Sequence, residues 1–117
     1  MNEVFYENND LPNHTELKIN LNFHFIDKWE GQQAWLKVDD IYLWSETHTW
    51  CETEFYNTCA KQGLDTCLES YPDKMGVFLT FSIKHTGQQV KITVGTNIPK
   101  DKCDLHWGID NVEILLR

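Results

Sequence analysis

Two acidic segments hold the residue types best suited to chemistry in this chain. Asp27-Lys28-Trp29-Glu30-Gly31 puts two carboxylates and a tryptophan within one short stretch. Asp104-Leu105-His106-Trp107-Gly108-Ile109-Asp110 repeats the recipe near the other end, with two more acids around a Trp-Gly pair. Calcium takes about six to eight oxygen ligands, chiefly carboxylates, backbone carbonyls and water. Turns are good sources of such ligands because a strand ladder does not consume their carbonyls. If the two segments meet, Asp27, Glu30, Asp104 and Asp110 form a Ca2+ site, and the cation offsets the mutual repulsion of the gathered carboxylates. The plainer alternative is that these acids are solvated turn residues, since Asp in turns is common for local hydrogen bonding. As a glycosidase pair, Asp27 and Glu30 match poorly, because two acids on one turn do not flank a sugar bond.

Little else in the chain resembles catalytic machinery. His14, His24, His48, His85 and His106 form no HExxH pattern and no i, i+4 pair, and each reads as a surface side chain. His48 and His106 approach each other only if the chain after His48 folds back. There is no GxSxG and no glycine-rich phosphate cradle. The expectation is a protein that is not an enzyme. A formal charge of −8 argues against nucleic acid, whose binding rests on Lys and Arg. It also disfavours anionic lipid and suits a hard cation.

Cys51, Cys59, Cys67 and Cys103 are even in number and contain no CxxC pair, which predicts two disulfides and an oxidising compartment. Three connectivities are open. Zinc is the rival reading, but the spacing is too wide for a ribbon or finger. Asn13-His14-Thr15 is a glycosylation sequon at Asn13 and agrees with secretion. The N-terminus lacks the apolar core of a secretory signal, and no apolar run approaches the ~20 residues that span a bilayer. The extracellular reading therefore implies that residues 1–117 are a single domain cut from a larger secreted or membrane-anchored protein.

The elements that must position the acids are strands. Leu17, Ile19, Leu21, Phe23 and Phe25 alternate with Lys18, Asn20, Asn22 and His24, the period-two pattern of a strand with one face buried. Residues 2–6 read as a short edge strand, 7–15 as a connector, and 33–45 as a hairpin turning at Asp39-Asp40. Strands are also expected from Val77 to Lys84, from Val90 to Val94 and over about 109–116, the last with Val112, Ile114 and Leu116 on one face. Residues 46–75 lack periodicity and carry three of the cysteines, which predicts a long disulfide-held loop with a short helix as one option around 56–69. The fold class is all-β, a two-layer β-sandwich with jelly-roll connectivity, in which first and last strands lie side by side. Trp29 and Trp107 are expected to cover the acidic turns. Trp35 and Trp44 either face a second layer or lie exposed. Trp50, Tyr56 and Tyr71 are the expected ligand-binding aromatics, unless they form a mini-core under the loop.

FIDKWEGQQAWLKVDD and HWGIDNVEILLR, with the lead-in LPNHTELKI, together resemble the galactose-binding-like jelly-roll domains of extracellular modular proteins, many from ciliates and other protists. Their motifs run F-x-I-D-S-W-D-G-E and S-W-G-I-D-N-V-E-I. The resemblance spans about 11–45 and 77–117. It implies a β-sandwich with a structural Ca2+ joining the acidic turn to the last strand, and activities of binding and adhesion. Asp27 matches the motif's Asp and Glu30 replaces its second Asp. Lys28 replaces Ser, Gln32 replaces Glu, and Leu105 stands where an acid often precedes the Trp. The expected function is a non-catalytic, Ca2+-stabilised extracellular module that recognises a glycan or a protein at the cell surface. The alternative is a structural domain of a surface or ciliary assembly that binds protein alone.

Overall fold

The computed structural model describes residues 2–50, 74–99, 102 and 105–117. Seven strands run in order: β1 (Asn2–Asn8), β2 (Glu16–Asp27), β3 (Glu30–Val38), β4 (Ile41–Thr49), β5 (Lys74–Lys84), β6 (Val90–Thr96) and β7 (Leu105–Leu116). They form two antiparallel sheets, β1-β6-β3-β4 and β5-β2-β7. Every connection except the β3–β4 hairpin passes from one sheet to the other, so the chain wraps the core as it goes. The fold is the all-β sandwich that the alternation predicts. One detail of the connectivity differs. β1 and β7 lie in different sheets, and the neighbour of β7 is the long strand β2. The expected helix option at 56–69 and the four cysteines lie outside the described residues.

β2 organises the core. Leu17, Ile19, Leu21, Phe23 and Phe25 are each at most 1% exposed. Lys18, Asn20, Asn22 and His24 point the other way and remain partly wet. Full burial of each large apolar side chain is worth about 1.5–3 kcal/mol. A one-residue slip would replace all five with Lys, Asn and His, so the register is strongly specified. Trp44 from β4 and Trp107 from β7 pack on Phe23 with ring centroids 5.5 Å away, and Trp29 sits edge-on to Phe25.

Three local devices set the strand pattern: the expected turn at Asp39-Asp40 and two bulges that the sequence does not mark. Asp39 and Asp40 both have positive φ, 50° and 67°, the two-residue turn whose twist matches a hairpin. In β4 the register passes from Leu36↔Trp44 to Lys37↔Tyr42, leaving Leu43 as an extra, bulged residue. Trp44 thereby reaches the core, while Trp35 stays on the outer face. In β7 the residues Asn111 and Val112 together oppose only Leu21, and Asn111 takes φ 51°. This bulge switches the inward parity from Ile109 to Ile114 and Leu116.

Trp35 lies flat on the outer face because Gly95 has no side chain. A Cβ there would meet Glu3 Cγ at 2.5 Å, Asn2 O at 2.8 Å and Trp35 Nε1 at 2.9 Å. The indole N–H donates to Glu3 Oε2 at 2.9 Å, and Lys37 Nζ pairs with the same oxygen at 3.1 Å. This Trp-Glu-Lys contact ties β1 to β3 across β6. Gly95→Ala should therefore lower stability by about 1–3 kcal/mol through overpacking, read as a drop in urea midpoint.

Candidate functional site

The two acidic segments do become neighbours, because β2 pairs with β7 and Asp27 falls opposite Leu105. Their carboxylates nevertheless separate. Asp27 has the inward parity of β2, takes φ 68° and is 1% exposed. Glu30 is the first residue of β3, its side chain about half exposed, and it pairs with Lys28 Nζ at 3.5 Å. Asp110 faces outward opposite Asn22, on the other face of the sheet from Asp27. With about 3.3 Å of rise per residue, the Asn22 and Asp27 positions are also about 16 Å apart along β2. The expected convergence of Asp27, Glu30 and Asp110 is thus corrected by strand parity. Gln32, an amide substitute for a lost acid, uses its Oε1 to accept from Glu30 N at 2.6 Å. Among the described residues, no group of three His, Cys, Asp or Glu side chains is placed to hold a metal ion. Asp104 lies outside the described residues, immediately before Leu105.

Asp110 belongs instead to a polar ladder on the outer face of β5-β2-β7. Asn22 Nδ2 donates to its Oδ1 at 3.0 Å, and His24 Nε2 lies 3.0 Å from Oδ2. These two contacts, Asn22 first, hold the Asp110 carboxyl below the usual range. Gly76 N donates to His24 Nδ1 at 2.8 Å. A backbone N–H can only donate, so the ring proton sits on Nε2 and is given to Asp110. Both ring nitrogens are engaged, which leaves none to take a proton from a substrate. Thr80 Oγ1 donating to Asn20 Oδ1 at 2.6 Å extends the ladder.

A second cluster was not expected from the sequence. His14 Nδ1 lies 2.7 Å from Pro12 O, and its Nε2 lies 2.6 Å from His85 Nδ1, with the two rings stacked. A carbonyl only accepts, so neutral His14 carries its proton on Nδ1 and accepts from His85 at Nε2. His85 Nε2 lies 3.5 Å from Asp39 Oδ2, an ion pair when the ring carries both protons. The chain of contacts fastens the β1–β2 connector, the β5–β6 turn and the β3–β4 turn to one another. His14 is buried, not a surface histidine.

At the opposite pole, Trp29 is fully buried and donates from Nε1 to His106 O at 2.8 Å. His48 packs on Phe25 at 4.4 Å and edge-on to Trp29 at 6.1 Å. Both His48 and His106 thus converge on Trp29 without meeting each other. Burial, and secondarily the charge of Lys74, push the His48 imidazole down to about 4. Glu46 shares the inward face of β4, opposite fully buried Ala34. Trp50 is half-buried, and its backbone N–H donates to Trp29 O at 2.7 Å. Tyr56, Tyr71 and the cysteines Cys51, Cys59, Cys67 and Cys103 lie outside the described residues. Asn13 is exposed, as a glycosylation acceptor requires. A cavity of about 380 Å³ is lined by Ile98, Pro99, Lys102, Leu105, His106 and Trp107.

An apolar groove lies between β1 and β7. Val4 and Tyr6 sit opposite Val94 and Ile92, so they share the core-facing side of their sheet. Yet they are 49% and 45% exposed, against 4% and 5% for their partners. Leu21, Ile92 and Val94 floor the groove, Ile109, Val112 and Ile114 wall it, and its cavity is about 180 Å³. Residues 2–6 read as a strand in sequence, but nothing in them reports that the inner face stays open.

No protein-family model and no curated protein matches the chain. Among solved structures, dimeric latent PorU from Porphyromonas gingivalis superposes on 92% of this chain with a TM-score of 0.53 and 13% identity. The chain spans 9% of that protein's length, and at this identity the likeness is one of fold alone.

Two outcomes follow from this geometry. The unfolded His48 titrates near 6.5, so its neutral form stabilises the fold in full above that pH and progressively less as pH falls toward 4. After allowance for solvent screening the effect is on the order of 1 kcal/mol, and His48→Phe should flatten that part of the urea-midpoint profile. Second, any rise in melting temperature in Ca2+ over EDTA should survive Asp110→Asn, since Asp110 is on the wrong face, and should be lost in Asp27→Asn.

Proposed function

We propose that this domain is a non-catalytic interaction module of a larger extracellular protein, and that it docks a protein partner in the β1/β7 groove. The observation that carries the reading is the exposure of Val4 and Tyr6 on a face whose register partners are core. Water-exposed aliphatic and aromatic groups that line a concavity mark interaction surfaces more often than isolated apolar residues do. The groove at about 180 Å³ is smaller than the ~300–1,000 Å³ of sites for drug-sized molecules. Its lining is mostly aliphatic, with Phe5 and Tyr6 from β1 at one side, and it carries no polar side chain except the Tyr6 hydroxyl.

The outer face of the four-stranded sheet gives a weaker case for a glycan. Phe5 and Tyr42 are exposed there, but Trp35 between them is 5% exposed under Glu3, Lys37 and Tyr42. An exposed Asn13, the acidic charge and the cysteine count support the extracellular setting. Calcium is kept in this reading only at the Asp27 corner, with Asp104 as the remaining sequence candidate.

Random-peptide display against the immobilised domain tests the reading, run beside a glycan array. Selected peptides should bind the Tyr6→Lys variant at least tenfold more weakly than the parent. A glycan bound equally well by parent and variant, with no peptide enriched, would overturn it.

A further inference from the structure

Among the described residues the two layers are unequal, with four strands facing three. Both sheets end on the same side of the sandwich, one at β1 and the other at β7, and the groove lies between those two edges. No described residue covers the inner face of β1, because the smaller sheet stops one strand short. We propose that the free edge of β7 is a strand-acceptor slot, filled by an extended segment of a protein partner that alternates aliphatic with basic side chains. This deepens, and rests on, the interaction-module reading.

Three observations place the added strand at β7. A strand joined to β1 would only widen the larger sheet and leave Val4 and Tyr6 wet. A strand beside β7 lies over them. The backbone parity of β7 also suits an added strand. Arg117 N donates to Glu16 O at 3.0 Å and Glu16 N to Arg117 O at 3.2 Å, so that pair is a hydrogen-bonded one. Such pairs alternate along an antiparallel ladder. Ile114 and Leu116 therefore turn their N–H and C=O groups away from β2, toward the open edge, while their side chains face the core side. Side chains at every second position of the added strand would enter the groove over Leu21, Ile92 and Val94, which is how strand addition gains specificity.

Charge selects the other positions. Glu113 faces outward from β7 within the pairing run and is exposed. The outward-facing side chain of the incoming strand beside it is therefore favoured as Lys or Arg, in keeping with the −8 charge of the whole chain. A second copy of the chain would bring a further −8 against this one. The bulge at Asn111-Val112 interrupts the β7 edge, so pairing runs along Val112–Leu116.

The test uses the intact 15N-labelled domain and a capped nonapeptide alternating valine with lysine. Saturable binding is expected, at least tenfold weaker to Tyr6→Lys and to Val112→Lys, both surface changes that leave the amide spectrum folded. Amide exchange at Ile114 and Leu116 should slow at least tenfold on binding, and N-methylation of the peptide on its pairing edge should abolish the effect. Raising salt from about 50 to 500 mM should weaken binding. Groove-dependent binding without protection of those two amides would overturn strand addition and leave the docking groove standing. Loss of strand addition would also follow if the two amides are already protected in the free monomer, or become so only on dimerisation. Failure of the alternating peptide to bind, while display-selected peptides still require Tyr6, would overturn the alternating chemistry alone.

Discussion

Leu17, Ile19, Leu21, Phe23 and Phe25 lose nearly all solvent contact on one face of β2, while β5 and β7 consume its backbone on both sides. This double constraint sets the other positions. It fixes which side chains of β7 point inward, because each is read against a residue of β2 that cannot move. It also makes β2 the partner of the last strand, so the two ends of the acidic pattern are brought to one ladder. The outer face of that ladder is then free to carry Asn20, Asn22, His24 and Asp110 as a polar row, satisfied internally and by Gly76.

The same alternation that unites the segments divides their acids. Asp27 closes the buried face of β2, and Asp110 opposes Asn22 on the wet face. The Asp110 carboxylate has its own company in Asn22 and His24. A shared cation is therefore not needed to relieve repulsion between these two groups. The Asp-Asn pair at 110–111 has a backbone role besides. Asn111 accepts the left-handed conformation of the bulge more readily than most residues do. That bulge is why Ile109 and Ile114 can both face the core from one strand.

Much of this architecture was legible in the chain. Period two marked β2, β3, β5, β6 and the end of β7, and Asp39-Asp40 marked the hairpin, because both depend on neighbours in sequence. Strand ends were less legible. β4 runs on to Thr49 and β7 starts at Leu105, since cross-strand pairing extends elements past their strongest propensity. The bulges at Leu43 and Asn111-Val112 were not legible, and they decide which way Trp44 and Asp110 point. The His14–His85 contact joins residues far apart in the chain through three separate connections, and no local pattern encodes it. The open groove depends on the number of strands in each layer, which is a property of topology and not of any segment.

An odd strand count leaves a two-layer sandwich with one edge position unmatched, and the chain resolves its two sides differently. At the β4 and β5 side, inward-facing aromatic and polar groups crowd together: Trp44, Glu46 and His48 reach in beside Phe25 and Trp29. Desolvation there is strong enough to disfavour a charged imidazole. At the β1 and β7 side, Val4, Tyr6 and Val112 remain about half exposed around a wholly aliphatic floor. Natural sheets usually protect such an edge with lysine, proline or an inward charge, and β1 carries none of the three between Asn2 and Asn8. β7 carries one protective device, the bulge, which breaks the edge at its middle and keeps a short regular run beyond it. A sheet that only had to avoid self-pairing would place a charge over the groove, where Val4 and Tyr6 stand. The groove instead stays apolar and accessible while the chain as a whole carries −8, a combination that suits a partner of opposite charge.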